Sequence, residues 1–174
     1  DTMPVIDAGA FAVKAVQGQQ IHVTSKVFAD GHDSLAVLIR WRSLSEAAWH
    51  DVPMGDQGNN AWRGAFSVTE QGPHQFCIEA WIDQFASFCY ELGKKHTAGV
   101  PVSLELQEGR QQVLHAAERS DGLLQQRLRL LHEQLSGLLE TEQVALFLHE
   151  DSAQLMAQAD LRPYLSISPV YALD

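Results

Sequence analysis

Residues 21–42 read IHVTSKVFADGHDSLAVLIRWR. Ile21, Val23 and Val27 share one face at a period of two, with Ser25 interrupting them, while His22, Thr24 and Lys26 take the other. That alternation predicts a half-buried β-strand. The cluster Ala29-Asp30-Gly31-His32-Asp33-Ser34 then supplies turn formers, and Leu35 to Trp41 makes a second, more apolar strand. The pair reads as a hairpin. No reactive group stands out in it, so the stretch predicts a binding or assembly domain rather than a catalyst.

Working outward, Phe11 to Val16 is an earlier strand closed by Gln17-Gly18, and Trp49-His50-Asp51-Val52 is a short later one stopped by Pro53. Gly55 to Asn60 is the strongest turn cluster in the chain. Trp62 to Val68 alternates large apolar with small or polar residues, as an outer strand does. Beyond Gln71-Gly72-Pro73, His74 to Ile82 and Phe85 to Leu92 read as two more strands around Asp83-Gln84. About seven short strands at regular spacing predict a β-sandwich of immunoglobulin or fibronectin-III type. Trp41, Trp62 and Trp81 fall in apolar phase within strands and are core candidates.

Composition changes after Gly93 to Gly99, where Leu, Gln, Glu and Ala replace the aromatics. Ser103 is placed to cap a helix running to about Arg119, and Ser120 or Asp121 the next. Leu124, Leu128, Leu131, Leu135 and Leu138 form an amphipathic seam on that second helix. Thr141 is placed to cap a third helix, and Asp151 or Ser152 to start a short fourth. Arg162-Pro163 ends the helical part, and the chain is extended again from Tyr164. The expected organisation is a mainly β fold with an α insertion: a sandwich over 1–98, a small bundle of three to four helices over 99–162, and an extended return over 163–174.

The chain has 174 residues, 45% of them hydrophobic, which suffices for a core. Lys and Arg number 12 against 22 acids, a formal net charge of −10. Such a surface repels phosphate backbones and anionic lipids, which argues against nucleic acid and membrane surfaces as partners. No apolar run reaches the length of a bilayer span. Asp1 in place of a methionine, and a closing Val170-Tyr171-Ala172-Leu173-Asp174 that reads as the interior of an extended segment, predict a piece of a longer protein. Cys77 and Cys89 would lie near cross-strand positions if Trp81 to Phe85 were a hairpin turn, which makes a disulfide geometrically conceivable. The other reading is two reduced thiols in a cytoplasmic protein, packed as small hydrophobes.

Eight histidines invite a search for metal ligands, but no pair has helical or zinc-ligand spacing. Asp30, His32 and Asp33 share a loop, where they serve as turn formers first. No glycine-rich phosphate loop or nucleophile elbow occurs, and Glu140 with Glu142 sits at a helix junction. Catalytic, metal and cofactor residues are therefore assigned as none. Trp49 beside His50, and Trp62 after Asn59-Asn60, flank turns and are candidates for stacking on sugar rings. Core packing or an interdomain contact explains them at least as well.

The stretches Phe11 to Gly18, Val27 to Asp33, Trp62 to Phe66, Glu79 to Phe88, Lys94-Lys95 and Ser168 to Tyr171 together resemble one family. The sequence is similar to the N-terminal region of bacterial α-1,4-glucan:maltose-1-phosphate maltosyltransferases, of the α-amylase clan. FADGHD and EAWIDQFASF are its specific motifs. Cys77, Cys89, Tyr90 and Gly93 depart from its pattern. The resemblance implies a parent that extends α-glucan with maltosyl units by a retaining mechanism, which requires a pair of carboxyl groups. It places that pair in a downstream (β/α)8 barrel, so no catalytic residue maps onto this chain. It further implies a fibronectin-like domain with a helical insertion that contributes to a homodimer and supports the barrel. Two other readings stay open. One is a glucan-binding module, and the other is an adaptor whose Leu124–Leu138 seam binds a partner helix.

Overall fold

The structure is a computed structural model that describes residues 3–16, 20–31, 33–68 and 70–173, with the backbone alone for 8–16. Gln17, Gly18 and His32, expected in turns, lie outside the described residues. The elements run β1 (Val5–Val16), β2 (Gln20–Phe28), β3 (Leu35–Ser43), β4 (His50–Pro53), β5 (Gly55–Gly58), β6 (Ala61–Ser67) and β7 (His74–Ile82). Five helices follow: α1 (Gln84–Thr97), α2 (Ser103–Glu118), α3 (Gly122–Gly137), α4 (Glu140–Phe147) and α5 (Glu150–Ala157). Two short strands, β8 (Ser166–Ile167) and β9 (Tyr171–Leu173), close the chain. It divides into two compact units, residues 1–82 with 162–174, and residues 83–161. Among the described residues no helix is long and apolar enough to cross a membrane.

The first unit holds two antiparallel sheets, ordered β1-β2-β6-β5 and β4-β3-β7-β8, with β9 also pairing β7. Val23 and Val27 of β2 are buried as the alternation predicts, and Ser25 between them is fully buried too. They join Phe66 from their own sheet and Val37, Ile39, Phe76, Ile78 and Ala80 from the other in one core. Each sheet therefore hides the apolar face of its partner, at roughly 1.5–3 kcal/mol for each fully buried large side chain. Trp81 is buried, whereas Trp41 and Trp62 are half-buried against this core.

Two expectations are corrected here. β2 and β3 do not form a hairpin: β2 pairs with β1 and β6, while β3 pairs with β4 and β7. The connection from Ala29 to Ser34 has six residues, longer than the two-residue loop that joins paired strands most tightly, and it carries the chain between sheets. Gly31, at φ 81°, supplies a left-handed position within it. The cluster from Gly55 is likewise only partly a turn. Gly55 to Gly58 is edge strand β5, and only Asn59 (φ 52°) and Asn60 (φ 63°) turn. Two successive residues with positive φ define the primed turn that suits a tight hairpin. β6 consequently lies inside its sheet rather than at the edge.

In the second unit, the expected strand over Phe85 to Leu92 is the helix α1. Asp83 caps it, its Oδ1 accepting from the Ala86 N–H at 3.0 Å. Phe85, Phe88, Cys89 and Leu92 then follow at helical spacing toward one core. The helices expected over 99–162 are α2 to α5, and α1 adds a fifth ahead of them. Most of the leucine seam lies as read: Leu128, Leu131 and Leu135 are buried and Leu124 packs against the same core, whereas Leu138 stands past the end of α3 in extended backbone. A seam buried by its own unit removes the partner-helix reading. None of the expected residues makes a side-chain cap bond, although Asp121 does stand at the N-cap position of α3. Val102 and Leu139 precede α2 and α4 without side-chain caps, and Ser103 Oγ instead donates to Glu140 Oε1 at 2.6 Å. α3 begins after Asp121 without a side-chain cap bond, and His149 caps α5 through Nδ1.

Candidate functional site

The two tryptophans named from the sequence lie beside different sheets and do not converge. Trp49 stands just before β4, with the Arg42 guanidinium 4.6 Å and the Arg40 guanidinium 5.8 Å from its ring centroid. A ring engaged by cations in this way is a poor stacking surface for a sugar. Trp62 sits on β6, opposite Ser25 on one side and Asp56 on the other. Part of its ring packs on the core, and the rest lines a groove of about 490 Å³. Val27 and Leu35 also line this groove. Its rim brings together Asp33 from between β2 and β3, Asp56 from β5, and Asn59 and Asn60 from the β5–β6 turn. The Asn60 carbonyl accepts from the Val27 N–H at 2.9 Å, and Asp56 Oδ1 accepts from the Gly58 N–H at 2.8 Å. The first bond ties the β5–β6 turn to the end of β2, and the second is local to the end of β5.

Sequence reasoning missed a charged cluster on the other sheet. Glu79 lies mid-β7 with its side chain only 5% exposed. Its Oε2 accepts from Arg162 at 2.9 Å and its Oε1 from Arg40 at 3.5 Å. Arg40 also donates to Asp51 at 3.0 Å, and Arg162 lies 3.9 Å from the same carboxylate. The Arg162 guanidinium stacks over Trp81 at 4.5 Å. Burial pulls the Arg40 guanidinium down, but Asp51 and Glu79 outweigh it and hold it above its ordinary value. Two cations thus balance two carboxylates, so no carboxyl group here is left over for acid–base work. A Glu inside the apolar run Phe76 to Ile82 was the available signal, because a buried charge demands a partner.

The helical unit has a cavity of about 470 Å³ lined by Asp83, Phe85, Cys89, His115, Arg119 and Asp160 among others. Two of its polar groups are held by backbone carbonyls. Arg119 donates twice to the Ala159 carbonyl, at 2.9 and 2.7 Å, and the Cys89 thiol donates to the Phe147 carbonyl at 3.5 Å. Burial, with Asp83 adding to it, pushes the Cys89 thiol up to about 12, so it is not a nucleophile at neutral pH. Burial likewise raises Cys77, with Glu79 adding and Arg40 opposing. Both thiols are free. With Phe85 to Leu92 helical, the hairpin on which a disulfide depended does not exist. Among the described residues no three His, Cys, Asp or Glu side chains converge to hold a metal ion.

Burial also raises the Asp83 carboxyl, and Asp160 adds to this against the N–H groups of Ala86 and Phe85. An acid with a raised folded value contributes stability below its unfolded value and loses it as pH rises through the folded one. Asp83→Asn keeps the cap without the charge. Urea unfolding should therefore show the wild type losing ground to Asp83→Asn between pH 4 and pH 7, while Asp83→Ala costs about 0.5–2 kcal/mol. A wild type that gains on Asp83→Asn over that range would overturn this reading.

Comparison with known proteins adds what geometry alone does not. The family model described as alpha-1,4-glucan:maltose-1-phosphate maltosyltransferase, domain N/S, matches residues 1–174. The chain belongs to this maltosyltransferase family. A protein of that name from Pseudomonas aeruginosa is 33% identical over 172 residues, covering 98% of this chain and 26% of the relative. The Burkholderia pseudomallei protein is 45% identical over 107 residues, covering 62% of this chain and 9% of its own length. The Myxococcus xanthus protein is 44% identical over 110 residues, covering 61% and 16%. The chain thus spans about a quarter or less of these maltosyltransferases. The stretches FADG and EAWID occupy distinct places in the fold: FADG closes β2 and leads into the groove rim, while EAWID ends β7 and caps α1.

Proposed function

We propose that this chain is the non-catalytic N-terminal assembly domain of a maltosyltransferase that extends α-1,4-glucan from maltose 1-phosphate. The match of the domain N/S model to residues 1–174 carries this reading. It is supported by chemistry, since Glu79 and Asp51 are engaged by arginines and the raised Cys89 thiol is inert. The sugar transfer itself requires a nucleophilic carboxylate and an acid flanking the bond. We assign these to a downstream barrel that this domain supports, within a cytoplasmic homodimer. Two free thiols fit a reducing compartment.

The architecture we infer is an immunoglobulin- or fibronectin-like sandwich with a helical bundle inserted before its last strands. The strand order supports it. One sheet runs β1-β2-β6-β5 and the other β4-β3-β7 followed by the returning strands, as in sandwiches whose second and third strands change sheets. Sedimentation of the longer protein with and without residues 1–174 tests the assembly role. Loss of the dimer on deletion is the expected result, and an unchanged dimer would overturn it.

A further inference from the structure

We propose that the groove beside Trp62 docks a neutral α-1,4-glucan chain, away from any catalytic centre. Its size falls within the roughly 300–1,000 Å³ typical of ligand sites. Trp62 offers part of an aromatic surface, the kind of apolar face on which the C–H side of a sugar ring packs. Around it, Asp33 and Asp56 present acceptors, and Asn59 and Asn60 present both donors and acceptors. Planar groups of this kind match the paired hydroxyls of a pyranose.

Charge narrows the ligand class. Two carboxylates and no Lys, Arg or His line the groove among the described residues. A phosphate-bearing sugar is repelled there, whereas an uncharged polyhydroxyl chain is not. Order is built in as well. The Asn59-Asn60 turn is fixed by its left-handed backbone and by the Val27–Asn60 bond, so little freedom is lost when a ligand settles. Trp49 has no comparable setting, because Arg42 and Arg40 lie against its ring.

The choice of an α-1,4-glucan rests on the reading of the parent as a glucan-extending enzyme. Affinity electrophoresis of the 174-residue chain through gels containing glycogen tests the groove. The expected result is retardation that grows with glycogen and that maltoheptaose competes away. Asp33→Ala combined with Asn59→Gly leaves the core untouched and keeps the positive φ at position 59. Losing the hydrogen bonds from both side chains should weaken retention about tenfold. Trp62→Ala should abolish it. Absence of retardation, equal retardation of the double variant, or equal retardation by a β-1,4-glucan overturns the proposal. So does a response of Asp33 and Asp56 to calcium alone with none to maltoheptaose. Failure of the parent reading shows separately, as a longer protein that makes no glucan from maltose 1-phosphate.

Discussion

Replacing Arg40 and Arg162 together with methionine should lower the unfolding free energy by about 3–5 kcal/mol, the usual cost of leaving a buried ion without its partners. Both guanidiniums are about a third exposed, but the Glu79 side chain they hold is 5% exposed. Once they are removed, neither water nor a cation compensates that carboxylate. The loss therefore belongs to Glu79 rather than to the arginines, and a third substitution separates the two. Adding Glu79→Met to the double variant removes the buried charge and should restore most of the stability. Urea denaturation of the single, double and triple variants reads the whole series. A triple variant no more stable than the double would show that the arginines act through packing, notably that of Arg162 on Trp81.

This cluster also shows where sequence reading ends. Glu79 inside an apolar strand announces that something must neutralise it, but its shortest partner, Arg162, lies 83 residues later, beyond all five helices. Pairing across such a distance is settled by the fold and leaves no local trace. The same limit explains the misread connection between β2 and β3. Alternation at Ile21, Val23 and Val27 identifies a strand and its buried face, yet says nothing about which strand lies beside it. The leucine seam of α3 was legible because its spacing is both the signal and the physical cause.

α1 failed for a different reason. Phe85, Phe88, Cys89 and Tyr90 favour strands when taken singly, and that preference hid a helical spacing visible in the same letters. The lining of the candidate groove is legible in part. Of the proposed groove, the turn points to Trp62 beside Asn59-Asn60, and the structure brings Asp33 and Asp56 beside them. Trp49 looked equivalent because the cations that lie against its ring come from β3.

In the helical unit the largest single-residue effect should be that of Phe147→Ala, about 3–5 kcal/mol. Phe147 is 1% exposed and ends α4, a helix of eight residues. Isolated helices shorter than about 12–15 residues are marginal in water, so α4 depends on what it buries. Phe147 meets Phe88 edge-on at 5.1 Å and Phe85 at 6.4 Å. The Phe88 and Phe147 rings lie over the bare backbone of α2, for a Cβ on Gly109 would stand 2.3 Å from Phe88 Cζ and 2.7 Å from Phe147 Cζ. Removing the Phe147 ring leaves a void beside a glycine, which has no side chain to swing in and close it. Hydrogen exchange should accordingly lose protection first in α4, ahead of the strands of the other unit. Leu139→Ala, at a residue 74% exposed, should stay within about 0.5 kcal/mol of the wild type. A Phe147→Ala loss no larger than that of Leu139→Ala would mean that α4 is held by its ends, and that the ring is not what docks it.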